Sequence, residues 1–195
     1  MKVALFAGTF DPPHLAHLAV ASAAQHEFAL DQVWWIPSGV PPHKADRAVT
    51  AFAHRLEMVR LAVTDIAAFR VRDLEGHRVG PSYTVDTVQA LVEANPDASF
   101  RLLMGEDNLR LFHTWKSPER LAELVPLIIY RRTGQQKGPV PAYLEGRVHY
   151  CTAPLISLAG TTIRTHLAQG LTDQSHISER VRTYIEVHGL YRPSR

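Results

Sequence analysis

His14 and His17 lie three positions apart in the segment GTFDPPHLAH, residues 8–17. Residues three apart share one face of a helix, so both imidazoles can meet the same ligand there. The segment joins an apolar run to an alanine-rich stretch, which places its backbone amides at the positive end of a helix dipole. The pattern predicts a binding site for an anion such as a phosphate group.

Two other interpretations of these histidines stay open. His14 would cap the helix and His17 would pack against a sheet if neither met a ligand. A metal site is less favoured, because Asp11 alone adds a further ligand type with helpful spacing nearby. We therefore expect no dedicated metal site in the chain.

Strand and helix patterns alternate around this segment and along the rest of the chain. Short apolar or alternating runs predict strands, and apolar residues at helical spacing predict helices. The predicted strands are 3–7, 32–36, 69–72, 99–104, 125–130 and 148–152. The predicted helices are 15–28, 51–63, one that carries Val85, Val88 and Val92, 161–168 and 178–188.

This alternation predicts an α/β fold, a Rossmann-like, doubly wound and mostly parallel sheet with helices at the C-terminal end. Such sheets bind ligands at the carboxyl ends of their strands. The unusual residues gather in loops that follow predicted strands, namely 8–17, 37–44 and 105–107. We expect one domain spanning residues 1–195 with its site formed by these loops.

Composition excludes several classes of protein. The net charge of +2 comes from 21 basic and 19 acidic residues spread along the chain, which disfavours nucleic-acid binding. Cys151 is the only cysteine, which excludes an internal disulfide and favours a reducing cytoplasm. No signal segment and no membrane span are expected, because the apolar runs are too short. Oligomeric state stays open, with a homo-oligomer as one option.

Several motifs resemble those of a known enzyme group. The run GTFDPPHLAH resembles the signature of the nucleotidyltransferase superfamily whose motif is written H-x-G-H, with Ala16 in place of its glycine and Ala7 in place of another common glycine. The loop PSGVPPHK, residues 37–44, resembles the loop after the second strand in bacterial nicotinate mononucleotide adenylyltransferases. Residues 82–87, SYTVDT, are similar to the S-Y-T-x-D-T box of that family.

The resemblance continues to the end of the chain. GEDNL and FHTWK, residues 105–109 and 112–116, resemble the family's G-x-D-x-L and F-H-x-W-K elements. Residues 157–164, SLAGTTIR, are similar to its I-S-S-T-x-I-R box, with Gly160 at a serine position. Residues 184–191 look like its C-terminal helix. These motifs, in the right order at predicted strand ends, make coincidence improbable.

The resemblance implies an adenylyltransferase of NAD biosynthesis that joins ATP to nicotinate mononucleotide and releases pyrophosphate, with Mg²⁺ carried in on ATP. The implied catalytic residues are His14, His17, Lys44 and Arg164. The implied ATP-binding residues are Gly8, Thr9, Phe10, His14, His17, Gly105, Asp107, Thr161 and Arg164. The implied mononucleotide-binding residues are Lys44, Tyr83, Thr84, Asp107 and Trp115.

The implied roles have physical reasons. Lys44 would be a cation for the triphosphate or the acceptor phosphate. Backbone amides of Tyr83 and Thr84 at a helix start would bind the carboxylate of nicotinate better than an uncharged carboxamide. Trp115 would stack on the pyridine ring, and Asp107 would hold ribose hydroxyls or acceptor groups.

Two alternatives remain. One keeps the chemistry and changes the acceptor to nicotinamide mononucleotide, phosphopantetheine or a sugar-type phosphate, although the SYTVDT box and Trp115 argue against the last two. The other is a non-catalytic, nucleotide-binding regulatory module. The substitutions at Ala7, Ala16 and Gly160 favour the module, whereas the retained histidines and cations oppose it.

Overall fold

The structure is a computed structural model of the 195-residue chain, and it describes residues 1–40, 49–131, 134, 137–152, 158–171 and 176–192. The described residues form a six-stranded sheet in which every pairing is parallel. Its strands are β1 (Lys2–Gly8), β2 (Gln32–Pro37), β3 (Phe69–Val71), β4 (Ser99–Gly105), β5 (Leu127–Tyr130) and β6 (Val148–Tyr150). The strand order is β3-β2-β1-β4-β5-β6, that of a doubly wound Rossmann-like sheet.

Seven α-helices accompany the sheet in the described part of the chain. They are α1 (Leu15–Glu27), α2 (Phe52–Val63), α3 (Thr84–Ala94), α4 (Glu106–Arg110), α5 (Pro118–Leu124), α6 (Gly160–Ala168) and α7 (Glu179–Val187). Short 3₁₀ turns lie at Leu74–His77, Phe112–Thr114 and Ala142–Leu144. None of these helices has the length and apolar character that crossing a bilayer requires.

The sequence pattern located the principal elements well. All six predicted strands exist, although β5 begins at Leu127, two residues later than predicted. Val125 is the C-cap of α5 and Pro126 has no N–H to donate to a neighbouring strand, which explains the late start. The helices α4 and α5 were not predicted, because five and seven residues are too few to show a 3.6-residue repeat.

The sheet is buried on both faces because its strands carry apolar residues in succession. Val3 and Leu5 face one apolar cluster with α3 and α5, and Ala4 and Phe6 face a second cluster with α1 and α2. Successive side chains of a strand point to opposite faces, so a continuous apolar strand feeds both layers. This packing fixes the sheet beneath the loops that follow its strands.

A third apolar cluster joins the C-terminal helices to the rest of the molecule. Met58 of α2 packs there with Ile163 of α6 and with Val181 and Ile185 of α7, and Ala16 of α1 belongs to the same cluster. These side chains are at most 8% exposed. The cluster therefore anchors α6 and α7 beside the N-terminal half of the sheet.

The neighbours β1 and β4 stop pairing before either strand ends. Their ladder runs from Lys2↔Ser99 to Leu5↔Leu102. Beyond it, β1 continues beside β2 to Gly8 and β4 continues beside β5 to Gly105. The order of the strands reverses between β1 and β4, so this separation opens a crevice at the topological switch point.

Candidate active site

A cleft of about 450 Å³ lies at the carboxyl ends of β1 and β4. Eleven of the residues predicted for the site line it: Gly8, Thr9, Phe10, His14, His17, Tyr83, Thr84, Asp107, Trp115, Thr161 and Arg164. They come from loops and helix starts far apart in the sequence. The predicted Gly105 is the last residue of β4, next to the cleft, and Lys44 lies outside the described residues.

The two histidines of the predicted anion site stack on each other. The ring centroids of His14 and His17 are 3.6 Å apart and their planes differ by 18°. The backbone N–H of His14 donates to Nδ1 of His17 over 3.3 Å. A neutral His17 ring therefore carries its proton on Nε2, which makes that atom a hydrogen-bond donor.

Aromatic side chains support this pair from the core. Phe10 is 2% exposed and its ring meets the ring of His17 edge-on at 5.1 Å. Phe6 lies edge-on to His17 at 5.9 Å and to Phe10 at 5.4 Å. The side chain of Phe10 thus belongs to the hydrophobic core, and it helps to orient the imidazole above it.

Residues 8–17, which connect the end of β1 to the first turn of α1 and carry both histidines, form the histidine loop. Arg164 brings the start of α6 onto this loop. Its Nη1 donates to the main-chain oxygen of Asp11 over 2.7 Å, and its Nη2 donates to Oγ1 of Thr161 over 3.3 Å. A Cβ atom on Gly160 would lie 3.2 Å from the Asp11 oxygen and 3.3 Å from Arg164 Nη1. Glycine at this position allows the loop and α6 to approach closely.

The helices α3 and α6 both begin at the cleft and lack a side-chain cap. The N-cap residues of α1, α3 and α6 are His14, Tyr83 and Ala159. Neither Tyr83 nor Ala159 makes a side-chain cap hydrogen bond. By contrast, Ser178 caps α7, away from the cleft, by accepting from the N–H of Val181. The first turns of α3 and α6 thus present backbone amides to the cleft, where a helix end favours an anion.

The segment around Trp115 is fastened to the start of α3. Lys116 Nζ donates to both carboxylate oxygens of Asp86 at 2.9 and 3.1 Å and lies 4.7 Å from the centroid of the Tyr83 ring. The half-buried Trp115 ring packs on the buried Phe112 at a centroid distance of 5.4 Å. An aromatic face and the amides of α3 therefore lie on the same side of the cleft.

Asp107 approaches the cleft from the start of α4. A Cβ atom on Gly105 would collide with Oδ1 of Asp107, so glycine lets this carboxylate fold back over the end of β4. Tyr130, at the end of β5, is the next nearest neighbour of that position. The G-x-D spacing thus has a local steric reason here.

Several cleft residues were missed by sequence reasoning. Glu75 is 4% exposed and accepts hydrogen bonds from the N–H of Gly39 and from Oγ1 of Thr87, at 3.1 and 2.7 Å. Arg78 also donates to Thr87 Oγ1, at 2.7 Å. Glu75 and Arg78 belong to no motif in the sequence, and only the short 3₁₀ turn brings Glu75 to the loop after β2. The cleft lining also includes Ser38, Asn108, Lys116 and Tyr130, of which the first three lie in the quoted motifs but were given no role.

Comparisons with known proteins agree with this arrangement. A family model described as cytidylyltransferase-like matches residues 5–178. A relative from Salinibacter ruber, named "Probable nicotinate-nucleotide adenylyltransferase", is 42% identical over 194 residues and covers the whole of both chains. A relative of the same name from Thermomicrobium roseum is 40% identical over 98% of this chain and 92% of its own.

The chain belongs to the nicotinate-nucleotide adenylyltransferases of the cytidylyltransferase-like family. Solved structures show that its fold is shared. The nicotinic acid mononucleotide adenylyltransferase of Plasmodium falciparum complexed with NaAD superposes with a TM-score of 0.80 at 20% identity, covering 97% of each chain. The same enzyme complexed with APC gives a TM-score of 0.78 at 19% identity, covering 97% of this chain and 96% of its own.

The substitutions in the family motifs have different surroundings. Ala16 is 8% exposed and packs in the third apolar cluster, and it is not among the residues that line the cleft. Ala7 does line the cleft and is partly buried. Gly160 removes the Cβ that would press on Asp11 and Arg164. The methyl group of Ala16 thus faces the core and leaves the cleft unchanged.

The histidine loop is also tied to the C-terminal end of the described chain. The Tyr191 hydroxyl donates to Oδ1 of Asp11 over 2.6 Å, and the N–H of Thr50 donates to Oδ2 over 3.4 Å. Burial raises the pKa of the Tyr191 phenol well above its ordinary value, and the neighbouring Asp11 carboxylate raises it further. The neutral phenol is therefore the form that the folded protein favours.

Replacement of Tyr191 by phenylalanine should destabilise the protein by about 2 kcal/mol at pH 8, because the Asp11 carboxylate loses a charged hydrogen bond. The pKa of the phenol is higher in the folded protein than in the unfolded chain, where it is about 10. The phenol therefore contributes fully to the free energy of unfolding below about pH 10, and this contribution declines as the pH rises above that value. Denaturant unfolding of Y191F and wild type should therefore show a difference in the free energy of unfolding that narrows from pH 8 to pH 11.

The exposed Tyr143 provides the control, since Y143F should leave the free energy of unfolding at pH 8 within about 0.5 kcal/mol of wild type. Equal stability of Y191F and wild type at pH 8 would contradict the assigned contact.

Proposed function

We propose that this chain transfers the adenylyl group of ATP to the phosphate of nicotinate mononucleotide. The products are nicotinate adenine dinucleotide and pyrophosphate, in a step of NAD biosynthesis. The observation that carries the proposal is the convergence of His14, His17 and Arg164 with the starts of α3 and α6 in one cleft at the switch point. The family membership given above supports the same activity.

The reaction needs placement and charge stabilisation more than it needs a strong base. A phosphate oxygen of the mononucleotide attacks the α-phosphorus of ATP, and the bond from that phosphorus to the bridging oxygen of pyrophosphate breaks. The nucleophile is already an anion, so no proton has to be removed from it. Donors held in fixed positions around the α-phosphate would stabilise the crowded transition state.

His17 and His14 are proposed to bind oxygens of the α- and β-phosphates. With Nδ1 of His17 accepting from the His14 backbone, its Nε2–H is the ring donor that can meet a phosphate oxygen. Stacking and the edge-on contact with Phe10 hold the ring, so little reorganisation is needed. Thr161 and Arg164 at the start of α6 are proposed to bind the β- and γ-phosphates.

The remaining proposed ATP contacts come from the ends of the first and fourth strands. Gly8, Thr9 and Phe10 would contribute backbone groups beside the phosphates, since the ring of Phe10 is taken up by the core. Gly105 and Asp107 would meet the ribose at the end of β4.

The acceptor is proposed to lie between the start of α3 and Trp115. The amides of Tyr83 and Thr84 would bind the nicotinate carboxylate, since no side chain caps this helix start. The Trp115 ring would stack on the pyridine ring. Lys116 is proposed to add positive charge beside Tyr83, although its ammonium is already shared with Asp86. Lys44 keeps its proposed role as a cation for the phosphates.

Mg²⁺ is proposed to arrive on the phosphates of ATP. Within the described residues, no group of three or more histidine, cysteine or carboxylate side chains is placed to hold a metal ion. The protein thus offers no cage of its own there, and Mg²⁺ commonly enters a site with its nucleotide. Bound to ATP, it would neutralise part of the charge on the triphosphate.

Incubation of the purified protein with Mg²⁺, ATP and nicotinate mononucleotide should yield pyrophosphate and a dinucleotide in equal amounts. A coupled pyrophosphate assay and chromatography of the nucleotide product measure both. ATP binding without pyrophosphate release would instead indicate a non-catalytic module and overturn the proposal.

The variant His17→Ala should lower kcat by about 100-fold, because a preorganised donor to the transition state is lost. Circular dichroism should show an intact fold. His26→Ala is the matched control, since His26 is exposed at the far end of the same helix. Normal turnover by H17A would remove the catalytic assignment.

Nicotinate mononucleotide should be preferred over nicotinamide mononucleotide by at least about 10-fold in kcat/KM. A hydrogen bond to the charged carboxylate at the start of α3 adds about 1.5–3 kcal/mol to the binding of nicotinate mononucleotide. About 1.4 kcal/mol corresponds to a factor of 10 in kcat/KM. Steady-state kinetics with both acceptors at saturating ATP test this, and equal kcat/KM values would exclude a carboxylate-reading site.

A further inference from the structure

Arg55 of α2 is an almost fully buried arginine, with only 2% of its surface exposed. Arginine is rarely buried to this extent unless its guanidinium is fully used. Here Nε donates to the main-chain oxygen of Thr50 over 2.8 Å, Nη1 donates to that of Thr9 over 2.8 Å, and Nη2 donates to that of Gly39 over 3.1 Å. Three backbone carbonyls therefore converge on one side chain.

These carbonyls belong to the loops that form one wall of the cleft. Thr9 follows β1, Gly39 follows β2, and Thr50 lies just before α2. The guanidinium thus connects the loop that carries His14 and His17 to both described ends of the loop between β2 and α2. Residues 9 and 39 are 30 positions apart in sequence, so no local structure sets their spacing.

The bond to Thr9 also orients a peptide group of the histidine loop. A trans peptide places its C=O and the following N–H on opposite sides. Since the Thr9 oxygen points to Arg55, the N–H of Phe10 faces the other way. Phe10 lines the cleft and has a positive φ of 48°, so this turn is held in a backbone conformation that few side chains adopt unaided.

Charged neighbours keep the guanidinium in place. Burial lowers the pKa of Arg55 from its ordinary value, while the nearby carboxylates of Asp11 and Glu75 act to raise it. Glu75 accepts a hydrogen bond from the N–H of Gly39 over 3.1 Å. Arg55 donates to the carbonyl oxygen of the same glycine. The residue is thus embedded in a polar cluster beneath the cleft.

We propose that Arg55 is a positioning residue that sets the placement of the loop after β1 relative to the loop after β2, and with it the alignment of ATP and the acceptor phosphate. The inference rests on the proposed function, because the loop after β1 leads to the proposed phosphate-binding histidines and Ser38 of the loop after β2 lines the same cleft. In-line attack is sensitive to displacements of about 1 Å, which can cost about 100-fold in rate. Loss of the three bonds frees both loops to shift by such distances.

Two variants test this role. Arg55→Met keeps the length and removes every donor, and Arg55→Lys keeps the charge but replaces the planar fork by a single ammonium group. Val59→Ala is the control for lost stability, because Val59 is fully buried one turn along the same helix. Arg60→Met is the control for lost charge, since the Arg60 side chain is 50% exposed and pairs with Glu57 and Asp73.

The measurements are the melting temperature, kcat, and KM for each substrate, with every protein assayed at the same interval below its own melting temperature. R55M should lower kcat by at least about 30-fold and R55K by a smaller factor, with KM changes below the change in kcat. V59A should melt lower than wild type with kcat within about 2-fold, and R60M should match wild type. If R55M does not fold, the comparison of R55K with V59A decides.

A purely structural role for Arg55 predicts that both arginine variants keep the kcat of V59A, and this result would overturn the inference while leaving the proposed function intact. Absence of turnover by the wild-type protein would instead remove the proposed function and this inference with it. Equal loss of kcat in V59A and R55K would also count against a specific role in positioning.

Discussion

The loss of pairing between β1 and β4 is the constraint on which the site depends. The two strands are bonded only as far as Leu5 and Leu102, and each then follows its other neighbour for three more residues. The gap lies where the strand order reverses, so the connections leaving β1 and β4 diverge to opposite faces of the sheet. Backbone at the rim of such a gap has no strand partner on the side that faces the gap, which leaves room for a ligand between the two halves. The apolar layers on both faces of the sheet hold this gap open.

Hydrogen-bond donors in the cleft come from the arrangement of backbone as much as from charged side chains. The net charge of the chain is only +2, and Asp11, Glu75 and Asp107 lie among the cleft residues. Helix starts without side-chain caps add partial positive charge and N–H donors at fixed positions. The carboxylates at the rim are largely directed to structural partners, with Asp11 bonded to Tyr191 and Glu75 bonded to Thr87. The cleft therefore offers an anionic ligand N–H donors at the starts of α3 and α6.

The C-terminal part of the chain completes a site that begins at its N-terminus. Arg164 and Tyr191 both bind Asp11, one through the main-chain oxygen and the other through the carboxylate. The N–H of Leu15 donates to the main-chain oxygen of His176 over 2.9 Å. The third apolar cluster supplies the hydrophobic packing that brings these segments together. The placement of the loop after β1 thus depends on contacts made across 150 or more residues of sequence, as between Asp11 and Arg164.

The sequence by itself determined the alternation of strands and helices, the doubly wound class and the loops in which chemistry would lie, because apolar periodicity and motif spacing are local signals. It also indicated the pairing of His14 with His17, although the rings meet because His14 is the extended N-cap of α1 and His17 its N3 residue, not because both lie on one helix face. It missed α4 and α5, and it gave no reason to single out Glu75 or Arg55. Their importance arises from hydrogen bonds to Gly39, Thr9 and Thr50, which lie in other segments. Only the tertiary structure decided those contacts. A backbone group that is buried on folding can pair with any suitable partner that the packing brings near. Spacing along the chain does not encode which side chain that partner is.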